Sequence, residues 1–256
     1  MMNQNPVIVI FGLPRSGTTW LGQILNSHPR VLYRYQPLFS YEFKDYLKED
    51  FSLNQLESFH YNLQHAKSEF VCPNHTFSKE NPEFLVYKNV RYHHLAKRML
   101  ELGHVKIIFL SRDPVQVLNS WYNAPKEFSP DWEIEKEWLH ATSKNQNRSE
   151  EFFGFDGWRR AEKIHRENAL RFPNKVRIVE YENLIQDGSN EIQKLLNWIG
   201  LSFDVQVDEF LNDSKGRYDR GVYSIFKKPA EMTLPISIQE QIIAHTKKLE
   251  YVPYHR

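Results

Sequence analysis

The chain alternates between short apolar runs and longer amphipathic stretches. Val7-Ile8-Val9-Ile10-Phe11 is unbroken and mostly β-branched, as expected of a strand buried on both faces. A Gly/Pro turn follows, and then Trp20, Leu21, Ile24 and Leu25 fall at helical spacing. The unit recurs. Phe84-Leu85-Val86-Tyr87 predicts a strand, and Leu95, Met99 and Leu102 predict a helix ending at Gly103, a residue suited to the left-handed C′ position. Val105 to Leu110 reads as the next strand. Asp113-Pro114 then opens a helix, with Asp as N-cap and Pro in the first turn, carrying Val117, Leu118 and Trp121. Val176 to Val179 is a further strand, followed by Ile192, Leu195, Leu196 and Ile199 on a helix closed by Gly200. Near the end, Ser237-Ile238-Gln239-Glu240 has the pattern of a capping box ahead of a last helix running to about Leu249. Strands alternating with helices predict an α/β fold, a parallel sheet with helices on both faces.

Two stretches break the rhythm. Residues 33–82 mix aromatics and charges with weak periodicity. Residues 123–157 carry Trp132, Trp138, Phe152, Phe153 and Phe155 among many polar positions. Both follow strand-to-helix junctions, where such folds bind ligands, so both are candidate acceptor-side insertions. With 256 residues, the chain has room for one large domain spanning 1–256 with these insertions inside it.

Composition narrows the partners. The 33 basic and 32 acidic residues give a net charge of +1, which argues against a nucleic-acid or membrane-surface binder and means that any anion site is built locally. Cys72 is the one cysteine, and no Cys/His cluster shows zinc spacing. With neither a leader nor an apolar anchor ahead of Val7, a cytoplasmic protein is expected.

The most informative segment is Gly12-Leu13-Pro14-Arg15-Ser16-Gly17-Thr18-Thr19-Trp20, which joins the first strand to the first helix. Its backbone amides and the helix dipole favour an anion, and Ser16, Thr18 and Thr19 add hydroxyls. A nucleotide-hydrolysing phosphate loop places Lys directly after its second glycine. Here Thr18 stands there, and the cation has moved to Arg15. Such a loop suits a terminal anion without a metal partner. A second candidate anion site is Ser111-Arg112-Asp113-Pro114 at another strand end. Ser120 lies nearly two helical turns beyond, so its hydroxyl can face the same crevice as Arg112, and an Arg with a hydroxyl can clamp a phosphate.

On these motifs the sequence resembles sulfotransferases that use 3′-phosphoadenosine 5′-phosphosulfate. Gly12 to Leu21 resembles their 5′-phosphosulfate loop, and Arg112 with Ser120 their 3′-phosphate site. Tyr87-Lys88-Asn89-Val90-Arg91 resembles a strand of the carbohydrate-type members, and Val179 to Leu184 the tyrosine-glutamate segment beside the adenine. The resemblance implies a three-layer fold like that of phosphate-loop nucleotidases, with sulfuryl transfer to a hydroxyl or amine, a carbohydrate among the acceptors. It implies that Arg15 contacts the transferred group, that Pro14 to Trp20 form the loop with Ser16, Gly17, Thr18 and Thr19 around the 5′-phosphate, that Arg112 and Ser120 hold the 3′-phosphate, and that Tyr181 lies against adenine. A late basic segment, Lys227-Lys228 or Arg217 and Arg220, would close over the nucleotide.

One departure concerns the general base. Carbohydrate-type relatives carry a glutamate before the Pro-Leu that follows the first helix. This chain has Tyr35-Gln36-Pro37-Leu38, and Gln36 can orient an acceptor but cannot take its proton. His93 and His94, a few residues beyond the position a histidine occupies in aryl and steroid relatives, are the expected bases, with His75 and Glu42 as further candidates. Two alternatives stand beside the sulfotransferase. One is a nucleotide kinase or hydrolase, against which the missing Lys argues. The other is a catalytically silent nucleotide-binding relative, which Gln36 would suit.

Overall fold

A computed structural model describes residues 6–72, 79, 81–216 and 231–248. Five strands form one sheet: β1 (Val7–Phe11), β2 (Val31–Tyr35), β3 (Phe84–Asn89), β4 (Val105–Ser111) and β5 (Val176–Glu180). Their spatial order is β2-β3-β1-β4-β5, and every pair is parallel. Strand β1 is central, between β3 and β4. The chain leaves β1 toward one edge and later returns past it to build the other, so the strand order reverses at β1. A crevice for ligands opens outside the carboxyl ends of the strands at such a point.

Helices cover both faces. One face carries Ile8 and Ile10 of β1, Val86 of β3 and Leu110 of β4. It packs on α1 (Thr18–Ser27), α8 (Tyr181–Gln186), α9 (Gly188–Ile199) and α10 (Val205–Gly216). The other carries Val7, Val9 and Phe11, Leu85 and Tyr87, and Ile107 and Phe109. It packs on α2 (Leu53–Gln64), α3 (Ala96–Leu102), α4 (Pro114–Tyr122), α7 (Gly154–Arg171) and α11 (Ile236–Lys248). Between α4 and α7 lie two single-turn helices, α5 (Ile134–Glu137) and α6 (Thr142–Asn145). Burial on both faces is why the strands read as continuous apolar runs, each buried Val, Ile or Leu contributing about 1.5–3 kcal/mol.

The predicted strands and most helix ends are where the pattern put them. Asp113 caps α4, its carboxylate accepting the Gln116 N–H at 2.9 Å. Gly200 closes α9 in the left-handed region. Three expectations change. Strand β2 lies across the start of the first aperiodic stretch, because Arg34 is hidden: its guanidinium donates to the carbonyls of Leu63, Tyr33 and Gln64 at 2.8, 3.1 and 2.8 Å. Gly103 ends α3 in an extended conformation, φ −110°. Ser237 is inside α11 and not its cap, since the helix begins at Ile236 and the Pro235 carbonyl accepts the N–H groups of Ile238 and Gln239.

The second face buries three imidazoles. His60 packs on Tyr87, while His93 and His165 share a hydrogen bond at 2.9 Å, with His165 stacked on Phe109. Burial pushes His60 and His93 down to about 3, and His165 well below the usual imidazole range. His60 and His93 are therefore neutral in the folded protein at pH 5, and His165 is shifted in the same direction, whereas the unfolded chain protonates all three below about 6.5. Their contribution to stability is complete above that value and is lost as pH falls below it. Between pH 6.5 and 5 the loss should approach about 1.4 kcal/mol per pH unit for each histidine. Guanidinium unfolding midpoints at pH 7.5, 6.5 and 5.5 test this, and a midpoint that does not fall across the acidic step refutes it.

Candidate functional site at the carboxyl edge of the sheet

The turn from β1 into α1 is built by close approach. A Cβ on Gly12 would meet the Thr18 Cγ2 at 2.5 Å, the Ser16 Oγ at 2.7 Å and the Leu110 carbonyl oxygen at 2.9 Å. Gly17 has φ +93°, and a Cβ there would stand 2.5 Å from the Tyr181 ring. Arg15 also has positive φ, 71°, an uncommon region for a residue with a side chain. Gly17 caps α1 without any side-chain hydrogen bond, so the first amides of the helix face the crevice with their dipole.

Ser16 is arranged differently from the expectation that all three hydroxyls point outward. Both its hydroxyl, at 2.7 Å, and its N–H, at 3.1 Å, donate to the Leu13 carbonyl. Its side chain closes the turn rather than offering a donor. Trp20 is buried behind the loop: its indole N–H donates to Ser214 at 2.8 Å, and its ring meets Tyr181 edge-on. Thr18 is buried and Thr19 half-buried.

The end of β4 reaches the same place. Arg112 donates from Nη1 to the Arg15 carbonyl at 2.8 Å, and its guanidinium lies 4.3 Å from the centre of the Tyr181 ring. Arg15 donates from Nε to the Ser120 hydroxyl at 3.3 Å. Arg15, Arg112, Ser120 and Tyr181, brought from four segments, therefore form one cluster. Arg112 Nε is buried and has no hydrogen-bond partner among the described residues, the state expected of a donor awaiting an anion. The strand exit is braced from behind: Trp158 donates to the Arg112 carbonyl at 2.9 Å, and the Ser111 hydroxyl to the Glu162 carboxylate, itself paired with Arg166 at 2.8 Å.

The end of β3 adds Lys88, which the motifs did not single out as a site residue. It is buried 4.3 Å from the Tyr35 ring centre. Burial lowers its ammonium to about 7. The charge of Glu127 opposes that effect, and those of Arg91 and Arg15 add to it. A buried lysine closing an otherwise apolar strand is the signal that could have found it. Glu127 pairs with Arg15 at 3.9 Å; nothing in its local sequence marks it. Gln36, in the left-handed region, immediately follows Tyr35 at this edge. Asn119, beside Ser120, accepts the N–H groups of Thr233 and Leu234 at 3.0 and 3.1 Å and fastens the returning chain to α4.

The two histidines are not brought to this cluster. His93 is fully buried among Phe11, Phe109, Phe152 and His165. His94 is half-buried beside Tyr92, where burial lowers its pKa. Glu42 is exposed. His75, Arg217, Arg220, Lys227 and Lys228 lie outside the described residues. No helix among the described residues is long and apolar enough to cross a membrane.

Comparison with known proteins agrees with the fold. A sulfotransferase family model matches residues 6–205. A sulfotransferase from Alicyclobacillus acidocaldarius has 15% identity and a TM-score of 0.60, with 94% of this chain and 91% of that one covered. Retinol dehydratase, in a complex with retinol and PAP, has 13% identity and a TM-score of 0.59, with 98% and 82% covered. The sulfotransferase domain of the Synechococcus PCC 7002 olefin synthase has 15% identity and a TM-score of 0.54, with 96% of each covered. At these identities the three likenesses concern the fold. No curated protein matches the chain.

Gly17→Ala tests the loop's construction. The new methyl meets the Tyr181 ring at 2.5 Å in a backbone conformation that side chains disfavour. A loss of about 2 kcal/mol or more is expected, lowering the melting temperature by about 4–8 °C. Calorimetry showing an unchanged melting temperature would refute the close approach.

Proposed function

This chain belongs to the sulfotransferase family, and we propose that it moves a sulfuryl group from 3′-phosphoadenosine 5′-phosphosulfate to an acceptor hydroxyl or amine. The observation that carries the reading is the meeting of two anion sites: Arg112 bonds the backbone of Arg15, and Arg15 bonds Ser120. The buried Nε of Arg112, without a hydrogen-bond partner among the described residues, and the cradle that a Cβ at Gly12 or Gly17 would fill both fit a bisphosphorylated nucleotide. Arg112 and Ser120 would hold the 3′-phosphate. The amides from Gly17 to Thr19 would hold the 5′-phosphate, and Tyr181 would take the adenine.

Arg15 would stabilise the charge that builds on the bridging oxygen as the sulfur is transferred, and Lys88 supplies a second cation on the acceptor side. Catalysis of this kind is positioning and charge stabilisation, with little covalent work for the protein. The acceptor would enter between the insertions at 33–82 and 123–157. Phe70 contacts both Tyr35 and Phe39, and Arg91 lies 4.0 Å over Phe39. Such a wall accepts an apolar molecule of the retinol kind or the face of a sugar. Tyr87 to Arg91 and Gln36 to Leu38, with their carbohydrate-type resemblance, favour the sugar.

Melting temperatures with 3′-phosphoadenosine 5′-phosphate (PAP), and separately with ATP and magnesium, test the reading. At a hundredfold excess over its dissociation constant, PAP should add about 2.7 kcal/mol and raise the melting temperature by about 5–10 °C. Arg112→Ala, losing a charge-assisted contact worth about 1.5–3 kcal/mol, should respond much less. Stabilisation by ATP with magnesium but not by PAP would replace this reading with a kinase.

A further inference from the structure

Transfer to a hydroxyl releases a proton, and the residues expected to take it are badly placed. Gln36 has no basic atom, His93 is sealed in an aromatic core, and His94 sits outside the Arg15 cluster. Glu127 is placed well. It follows α4, the helix that carries Ser120, and its Oε1 lies 3.9 Å from Nη1 of Arg15. That spacing is too long for a hydrogen bond, so the ion pair leaves the carboxylate's lone pairs free. Oε2 is buried and has no hydrogen-bond partner among the described residues.

The carboxylate also rests on a rigid support. The Glu127 N–H donates to the Ala124 carbonyl at 2.7 Å, and the Trp121 indole N–H to the Glu127 carbonyl at 3.2 Å. Phe128 packs edge-on against Trp121 and Trp132. Arg15, Lys88 and Lys144 are cations whose charges reach Glu127.

We propose that Glu127 is the general base of the transfer, an assignment that rests on the sulfotransferase reading above. The acceptor oxygen bonds to sulfur as the bond from sulfur to the 5′-phosphate oxygen breaks. The electron pair stays on that phosphate oxygen beside Arg15, and the acceptor proton passes to the half-buried Glu127 carboxylate and then to solvent.

The test takes water as acceptor and measures sulfate released from 3′-phosphoadenosine 5′-phosphosulfate. Glu127→Ala should release sulfate about a hundredfold more slowly than the wild type or worse, keep its stabilisation by PAP, and recover in part when sodium formate supplies a carboxylate. Release within about threefold of the wild type, or a loss that formate does not relieve, overturns the assignment. A wild type that PAP does not stabilise overturns the sulfotransferase reading itself.

Discussion

Backbone pressed against an aromatic ring governs the carboxyl edge of this sheet. Strand β1 must turn into α1 in six residues while its loop lies against Tyr181 on one side and the end of β4 on the other. Only residues without a Cβ fit at the two contact points, Gly12 and Gly17. Between them the chain takes Arg15 through positive φ, which turns its carbonyl to Arg112 and its guanidinium to Ser120. The conformation of the loop therefore depends on contacts from β4 and α8.

That arrangement is electrostatically costly without a ligand. Arg15, Lys88, Arg91 and Arg112 gather at one end of the sheet, with Glu127, Glu151 and Glu182 near them. Arg91 is neutralised by Glu151 at 2.8 Å, and Arg112 is compensated by backbone oxygen and the Tyr181 ring. Lys88 lies against the Tyr35 ring, and burial dominates its titration although the charge of Glu127 opposes it. A dianionic phosphate or phosphosulfate entering this region offsets a cost already incurred in folding, which is the physical meaning of preorganisation.

The cluster of Arg15, Arg112, Ser120 and Tyr181 was legible in the sequence because its parts are local. Glycines spaced around a turn, an arginine at a strand end and a serine two helical turns on are short-range patterns whose chemistry the fold merely aligns. The residues that escaped reading depend on distant partners. Strand β2 is hidden by an arginine that carbonyls from α2 satisfy. Ser16 offers an outward hydroxyl on paper and spends it on Leu13. His93 lies near a family position in sequence, yet it packs into a core made by β1, β4 and α7. Glu127 has no local mark at all, and only the fold carries it to Arg15.

On the proposed reading, the Arg15–Glu127 pair would link the two halves of the reaction. In the free protein Arg15 divides its guanidinium between Ser120 and Glu127. On the proposed reading, a bound phosphosulfate draws Arg15 toward the bridging oxygen. Its contact to Glu127, at 3.9 Å too long for a hydrogen bond, is the partner easiest to give up. The carboxylate then faces the acceptor unpaired at the moment the sulfuryl group is in place. Donor binding would thus prepare the base, and a residue that looks like a counter-ion in the free protein would act as the proton acceptor in the loaded one.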